Sequence, residues 1–285
     1  MNIFHLIYEP NSLLIVFYIH FGTIVIAFIS IAFIFLGVLQ KFYWITVTHY
    51  ILFVSINIRR KIHFKHVDYQ TVMAVPYDVP IVGDGGKTVN MLRLWQAEPE
   101  EEKLDMKAFS SGRYSDAVKD RNDVEAITTL LYPDDSTPEG KELRLKQEYF
   151  LVAAGIASII RGYKKRSGTD NWANFPDKVA IHINDTHPAL CVPELMRVLM
   201  DQEGLEWDEA WEITTKTISF TNHTVMPEAL ERWPIDLMER LLPRVYMIIE
   251  EINRRLCADL WNMYPGDWDR ISRMAVIGYS QVRMA

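Results

Sequence analysis

The sequence predicts an α/β fold with parallel strands for residues 67–285, preceded by an apolar segment of a different kind. Strand-type runs alternate with helical patterns between residues 178 and 226, and the helical patterns before them are amphipathic. Strands and helices that alternate at this spacing imply crossover connections and parallel pairing. The first 65 residues stand apart because they hold nine of the thirteen phenylalanines and a single acidic side chain.

Charge is distributed unevenly along the 285 residues. Residues 1–65 carry one acid and five bases, whereas the other 220 residues carry 36 acids and 25 bases. We expect no nucleic-acid partner, because binding a polyphosphate requires a concentrated excess of lysine and arginine. Two cysteines, Cys191 and Cys257, are too few for a disulfide framework and favour a reducing compartment. Both are predicted to be reduced and buried.

The apolar segment, residues 1–65, has two interpretations. Residues 12–39 contain no Asp, Glu, Lys or Arg and exceed the roughly 20 residues that span a bilayer as a helix, so they form a candidate transmembrane helix. A second apolar stretch reaches residue 58, and the basic cluster Arg59–Lys61 that follows would leave the rest of the chain in the cytoplasm. The alternative is a gene-model artefact, since translation of A/T-rich non-coding or frame-shifted DNA gives the same composition.

Two helices are predicted before the first strand. Gly112–Leu131 places its apolar residues on one side and its charges elsewhere. Lys141–Arg166 forms a longer helix, with Pro138 and Glu139 in its first turn. Its basic end is followed by Gly168, as is typical of a helix C-terminus.

Two successive units then combine a strand, a polar cluster and a helix. In the first unit a strand at Lys178–Ile183 leads into Asn184–His187 and a helix at Pro188–Gln202, which Gly204 closes. Strand alternation places His182 on the opposite face from its neighbours.

The second unit repeats this order. A helix near Asp208–Thr215 precedes a strand near Thr217–Phe220, the cluster Thr221–Thr224 and a helix opened by Pro227. A later helix carries an apolar stripe that we assign to core packing: Val245, Ile249, Ile252, Leu256 and Leu260.

Both polar clusters follow the carboxyl ends of predicted parallel strands, where such sheets bind ligands. Taken singly, Asp185 or Thr186 caps a helix and Asn222 completes a turn. Two clusters that end two successive strands favour a binding or catalytic site. A metal site that uses His182, Asp185 and His187, with His223 nearby, is the other interpretation. No HExxH motif or cysteine cluster completes a tetrahedral set, so no metal is expected.

Longer strings carry a resemblance to a known family: AVPYD (74–78), EGKELRLKQEYF (139–150), NDTHPAL (184–190), PELMRVL (193–199) and TNHTVMPEALERWP (221–234). They resemble the N-terminal half of the glycogen and maltodextrin phosphorylases, from about residue 67 to residue 285. That resemblance implies a two-domain glycosyltransferase with Rossmann-like domains, of which this chain holds an incomplete N-terminal one, truncated at its C-terminus. It also implies phosphorolysis of a terminal α-1,4-linked glucose to glucose 1-phosphate, with pyridoxal 5′-phosphate as cofactor.

The resemblance also assigns roles to particular residues. By that resemblance Tyr132–Glu139 is the mobile loop that gates the active site, here called the gate loop; its assigned residues are Asp134, Asp135 and Ser136, with Asp135 at the acidic position. Arg144 lines the sugar pocket, where a guanidinium presents a fixed fork of donors to oxygen acceptors. The other substrate-binding residues that the resemblance implies are Asp185, His187, Asn222, His223, Glu228 and Glu231.

Departures from the family pattern limit what the chain is expected to do. Arg161 is followed by Gly162, where regulated animal members carry a second arginine for effector phosphates, so control of the animal type is not expected. No lysine in residues 67–285 matches the Schiff-base lysine of the family, so no complete catalytic set and no cofactor-binding residue are assigned.

The predicted function is a fragment of a cytoplasmic α-1,4-glucan phosphorylase. Its partners are α-1,4-glucan, phosphate and, as in the family, a second copy of the chain, and the fragment alone is expected to be inactive. The alternative is a membrane-anchored, non-catalytic glucan-binding or dimerising module, which requires residues 1–65 to be genuine protein.

Overall fold

The computed structural model describes residues 64–65, 67–100, 104–168, 171–224, 226 and 230–285. The candidate membrane helix 12–39 and the apolar stretch that reaches residue 58 lie outside the described residues. Within the described ranges, no helix is both long and apolar enough to cross a bilayer. Residues 67–285 fall into one compact unit.

The unit begins with a long hairpin of two antiparallel strands, β1 (Val72–Val82) and β2 (Val89–Pro99). Asp78 lies opposite Arg93, and the two side chains form a bidentate ion pair with both N–O distances at 2.6 Å. Most of the hairpin is exposed, whereas Ala97 is buried against the next helices. The sequence patterns did not predict this hairpin.

Three short helices follow: α1 (Met106–Ser110), α2 (Tyr114–Ala117) and α3 (Lys119–Thr129). The prediction of one continuous helix over Gly112–Leu131 was therefore wrong. The chain leaves helical geometry at Val118, with φ −111° and ψ 7°, and α3 starts anew after it.

The long helix α4 (Pro138–Ser167) confirms the predicted helix and both of its ends. The hydroxyl of Thr137 accepts a hydrogen bond from the N–H of Gly140 at 3.1 Å, which caps the helix beside Pro138. Gly168 adopts φ +60° and donates its N–H to the carbonyl of Lys164 at 3.0 Å, so it ends the helix in the left-handed conformation.

The predicted parallel pair is present. A 3₁₀ turn (Trp172–Asn174) and helix α5 (Phe175–Lys178) lead to β3 (Ile181–Asn184), which pairs in parallel with β4 (Ile218–Thr221). The connection contains α6 (Cys191–Arg197), a π-helical turn (Val198–Gln202) and α7 (Trp207–Thr217). Cys191 replaces Pro188 as the first helical residue, and Gly204 (φ +77°) ends the segment as predicted.

The strands in the last part of the chain pair antiparallel. β5 (Arg232–Pro234) pairs antiparallel with β7 (Gln281–Arg283), which also pairs with β6 (Ile277–Gly278). Between them lie α8 (Ile235–Leu241), α9 (Pro243–Met263) and α10 (Trp268–Met274). Pro227, where a helix was predicted to open, lies outside the described residues. The next described elements are β5 and then α8. The described strands thus form three small sheets, of which one is parallel.

The main core lies between α4, α6, α8 and α9. The first part of the predicted α9 stripe belongs to this core: Val245 and Ile249 are buried in it, and the half-buried Ile252 packs against it. Leu260 is buried and Leu256 half-buried, but neither belongs to this cluster. Both cysteines are free thiols, as predicted. Cys191 is buried, but Cys257 is only half-buried, so the prediction of its burial was wrong.

Candidate functional site

The candidate site is centred on Arg144, two turns into α4. Its Nη1 donates to Asp135 Oδ2 at 2.6 Å and its Nε to Glu148 Oε1 at 3.4 Å, while its Nη2 donates to Glu231 Oε1. The Arg144 side chain is 20% exposed. One guanidinium therefore binds carboxyl groups from the loop that the resemblance predicts to be the gate loop, from its own helix and from the segment before β5.

The gate loop packs tightly against the start of α4. The Oδ1 atom of Asp134 accepts the N–H of Ser136 at 2.9 Å, which closes a turn in the loop. A Cβ atom on Gly140 would lie 1.8 Å from the carbonyl oxygen of Asp134, so only glycine fits this approach. Asp135 is thereby brought to Arg144.

The two polar clusters meet at the carboxyl ends of β3 and β4, as predicted. The Oδ1 atom of Asp185 accepts the N–H of His223 at 2.9 Å, and the N–H of Asp185 donates to the carbonyl of Thr221 at 2.8 Å. Asp185 has φ +58°, a left-handed conformation that aspartate tolerates better than most residues. The carboxylate of Asp185 therefore joins the two clusters across the strand ends.

The neighbouring residues of the clusters play different parts. Thr186 is fully buried, and its hydroxyl accepts the N–H of Glu231 at 3.4 Å, which links the first cluster to the segment before β5. The side-chain amide of Asn222 donates to the carbonyl of Thr224 at 2.7 Å. Asn222 thus completes its own turn, as expected from its sequence position taken singly. His223 is exposed, with Nε2 3.4 Å from Asn184 Oδ1.

A cavity of about 230 Å³ opens beside Arg144. Its walls are Leu131, Tyr132, Arg144, Gln147, Glu148, Leu151, Val152, His187 and Pro188. The Tyr132 ring meets the edge of the His187 ring with centroids 5.6 Å apart and lies 6.0 Å from the Arg144 guanidinium carbon. The walls are mostly apolar, with a few convergent polar groups, as in small-molecule sites.

Electrostatics in the cavity are dominated by Glu148. The pKa of its carboxyl group is raised to about 9: burial is the largest cause, the negative charge and hydrogen bonding of Glu231 act in the same direction, and Arg144 opposes both effects. Glu148 belongs to the motif at residues 139–150, but the sequence alone predicts no role for it. The available signal was its position four residues after Arg144, on the same helix face.

The carbohydrate phosphorylase family model matches residues 43–285 of the chain. The chain belongs to the carbohydrate phosphorylase family. This is a family of glycosyltransferase enzymes, and the match confirms the resemblance found in the motifs.

Individual members of the carbohydrate phosphorylase family align closely. Over 225 residues the chain is 51% identical to the glycogen phosphorylase of Bacillus subtilis (strain 168), which covers 79% of this chain and 27% of that protein. It is 52% identical over 225 residues to the muscle form of glycogen phosphorylase from Ovis aries, and the alignment covers 77% of this chain and 27% of that protein. It is 54% identical over 218 residues to the brain form of glycogen phosphorylase from Mus musculus, and the alignment covers 74% of this chain and 26% of that protein. The chain thus spans about a quarter of the length of these curated relatives.

Within this phosphorylase chain, the site residues predicted from sequence fall into three groups. Arg144 and His187 line the cavity, and Glu231 and Asp135 bind the guanidinium of Arg144. Asp185, Asn222 and His223 lie at the strand ends without forming the cavity wall. Glu228 lies outside the described residues.

The metal interpretation gains no support from the described part of the phosphorylase chain, where no group of three or more His, Cys, Asp or Glu side chains is placed to hold a metal ion. His182 is exposed while Ile183 is buried, as strand alternation predicted. Its ring nitrogens contact the hydroxyls of Thr221 at 2.8 Å and Ser219 at 3.1 Å.

The family's cofactor does not fit the described residues. Schiff-base formation with pyridoxal 5′-phosphate requires a lysine beside the binding pocket. None of the described residues that line the cavity is a lysine. Lys146 and Lys164, on the same helix as Arg144, are held by Glu142 and Glu203.

Proposed function

We propose that this chain forms part of the glucan-binding side of an α-1,4-glucan phosphorylase, in which the gate loop and Arg144 control access to the sugar site. The whole protein would then cleave the terminal α-1,4-linked glucose of a glucan with phosphate and release glucose 1-phosphate. The observation that carries this proposal is the meeting of Arg144, His187 and the gate loop at one cavity, in a chain that belongs to the phosphorylase family.

Arg144 is suited to bind sugar hydroxyl groups in this cavity. A guanidinium offers several donors in a fixed plane, and its hydrogen bonds strengthen where water is partly excluded. Of its three carboxyl partners, Asp135 is the most exposed, with a side chain that is 46% accessible against 9% for Glu148 and Glu231. Asp135 is therefore the partner that a sugar most easily displaces, which gives the gate loop its proposed role.

The strand-end residues supply the other proposed glucan contacts. Asp185, His187, Asn222 and His223 surround the carboxyl ends of β3 and β4, and Glu228 belongs to the same motif. A backbone carbonyl near His223 would stabilise positive charge that develops on the glucose ring as its bond breaks. The parallel pairing of β3 and β4 through α6 and α7 supports a Rossmann-like origin for this part of the unit.

We further propose that the isolated 285-residue chain does not catalyse phosphorolysis. No lysine matches the family's Schiff-base motif, and none of the described residues at the cavity is suited to hold pyridoxal 5′-phosphate. A dimer is proposed by family analogy. A cytoplasmic location is supported by the two free thiols, Cys191 and Cys257, which are typical of a reducing compartment.

Glucan binding can be tested on the chain by calorimetry with maltoheptaose. Arg144→Met should weaken binding at least about tenfold, because loss of a charge-assisted hydrogen bond costs about 1.5–3 kcal/mol. Arg254→Met is the matched control, since this arginine is exposed on α9 and binds Glu251 away from the cavity. Equal affinity of the Arg144 variant and the unaltered chain would contradict the proposal.

A chimera provides the activity test. Residues 67–285 would replace the matching segment of the Bacillus subtilis relative, and release of glucose 1-phosphate would be measured. We expect activity that Arg144→Met lowers and Arg254→Met leaves unchanged. The isolated chain should release no glucose 1-phosphate, and measurable release by it would show that the inactivity proposal is wrong.

A further inference from the structure

Two buried carboxyl groups share one guanidinium in this site. Glu148 Oε1 and Glu231 Oε1 both accept hydrogen bonds from Arg144, and each side chain is only 9% exposed. The second oxygen of each group, Oε2, is buried and finds no donor among the described residues. Two ionised carboxylates in this position would leave two buried acceptors unsatisfied, in addition to repelling each other.

One proton removes both problems. The side chains of Glu148 and Glu231 are hydrogen-bond neighbours. A protonated Glu148 carboxyl group donates a hydrogen bond to the Glu231 carboxylate, so the pair needs no outside donor between them and the repulsion disappears. The charges that remain are the Arg144 cation and the carboxylates of Asp135 and Glu231, which leave a single net negative charge on the cluster.

We propose that Glu148 is a positioning residue: it shares one proton with Glu231, and this pair holds the Arg144 guanidinium in a fixed orientation at the cavity. Burial and the charge of Glu231 both raise the pKa of Glu148, so the proton resides on Glu148 at neutral pH. The existence of the pair does not depend on the proposed function. Its consequence for sugar binding does, because it concerns the orientation of the residue proposed to bind the sugar.

The groups that face Glu148 come from several elements. Arg144 lies one turn before it on α4, Asp135 and Tyr132 belong to the gate loop, His187 follows β3, and Glu231 precedes β5. Among these, Arg144 is the neighbour that favours ionisation of Glu148, and it already binds two other carboxyl groups. The proton is therefore retained until the pH is clearly alkaline.

Helix geometry explains why Glu148 can act in this way. It lies four residues after Arg144, so its side chain falls on the same face of α4, and the helix backbone prevents it from moving away. Loss of its proton would make the two carboxylates repel each other and would strengthen the attraction between Glu148 and Arg144, so the guanidinium would leave its orientation toward Glu231.

Infrared spectroscopy tests the pair without any ligand. The unaltered chain at neutral pH should show the C=O stretch of a protonated carboxyl group, and this band should disappear as the pH rises above about 9, where Glu148 ionises. Glu148→Gln should lack the band at neutral pH. Glu142→Gln is the control on the same helix: Glu142 is bound by Lys146 at 2.7 Å and Arg240 at 2.9 Å, so it is ionised, and its variant should keep the band.

The proposal is overturned if the unaltered chain shows no such band between pH 6 and 8, or if Glu148→Gln keeps it. The first result can be obtained even if the variant fails to fold. A second readout is the pH profile of maltoheptaose affinity, which should fall at alkaline pH in the unaltered chain and stay flat in Glu148→Gln. A band without glucan binding would support the pair and contradict the proposed function, so the two failures are distinguishable.

Discussion

Replacement of Gly140 by alanine would place a methyl group where the backbone of the gate loop already lies. The added Cβ would stand 1.8 Å from the carbonyl oxygen of Asp134 and 2.9 Å from its carbonyl carbon. Both atoms belong to the backbone, so no side-chain rotation relieves the contact. An ordinary contact begins at 3.4 Å, so the loop and the start of α4 must separate by roughly 1.6 Å.

The expected cost follows from what this separation breaks. The Gly140 N–H leaves the hydroxyl of Thr137, and loss of such a cap costs about 1 kcal/mol. Overpacking adds about 1–3 kcal/mol, and the better helix propensity of alanine returns up to about 1 kcal/mol. Gly140→Ala should therefore lower the free energy of unfolding by about 1–3 kcal/mol and detach Asp135 from Arg144.

Gly155 provides a matched control on the same helix. A Cβ there meets no heavy atom within 4 Å beyond its chain neighbours and the backbone of its own helix, so Gly155→Ala should stabilise the chain by up to about 1 kcal/mol. Urea unfolding measures both changes, and limited proteolysis at the gate loop should speed up only in the Gly140 variant. Stabilisation by Gly140→Ala similar to that of the control would refute the close approach of Asp134.

Three further outcomes are expected. Arg197→Met should lower the free energy of unfolding, measured in urea, by about 3–5 kcal/mol, because the Glu194 carboxylate, only 2% exposed, loses its bidentate partner. The double variant Arg197→Met/Glu194→Gln should recover part of this loss. Between pH 5 and pH 8 the free energy of unfolding of the unaltered chain should fall by about 1.4 kcal/mol per pH unit relative to that of Glu148→Gln. The reason is that the folded state keeps a proton on the Glu148 carboxyl group, whose pKa is about 9, whereas the unfolded state has already released it. A flat difference over this range would contradict that raised pKa. Burial raises the pKa of the Cys191 thiol to about 12, so a thiol reagent near neutral pH should label Cys257 in the folded chain and Cys191 only after unfolding.

Local signals in the sequence predicted the local structure well. Pro138 and Gly168 predicted both ends of α4, and the two strand-type runs predicted the pairing of β3 with β4. These features depend on residues that are close in sequence, such as a proline in the first turn or a glycine with positive φ. The break at Val118 was missed because the apolar spacing continues across it.

Contacts between residues distant in sequence were predicted only where both residues belong to motifs of the family. The hairpin β1–β2 escaped prediction because most residues of both strands are exposed, so the strands lack an apolar–polar alternation. The antiparallel sheet of β5, β6 and β7 escaped it because strands of two or three residues carry weak patterns. Glu148 was missed as a site residue for a related reason. Its raised pKa comes from its burial and from Glu231, which is distant in sequence, and neither can be read from the helix that contains it.

The sequence by itself determined that this chain is a carbohydrate phosphorylase segment with an α/β unit, since its long motifs are specific and its helix ends are encoded by neighbouring residues. Only the tertiary structure decided how the site is assembled. Arg144 and Glu231 are separated by 87 positions, and their contact exists because α4 and the segment before β5 pack together. The protonation of Glu148 follows from that packing, because the free energy of a buried charge depends on its surroundings and not on its place in the chain.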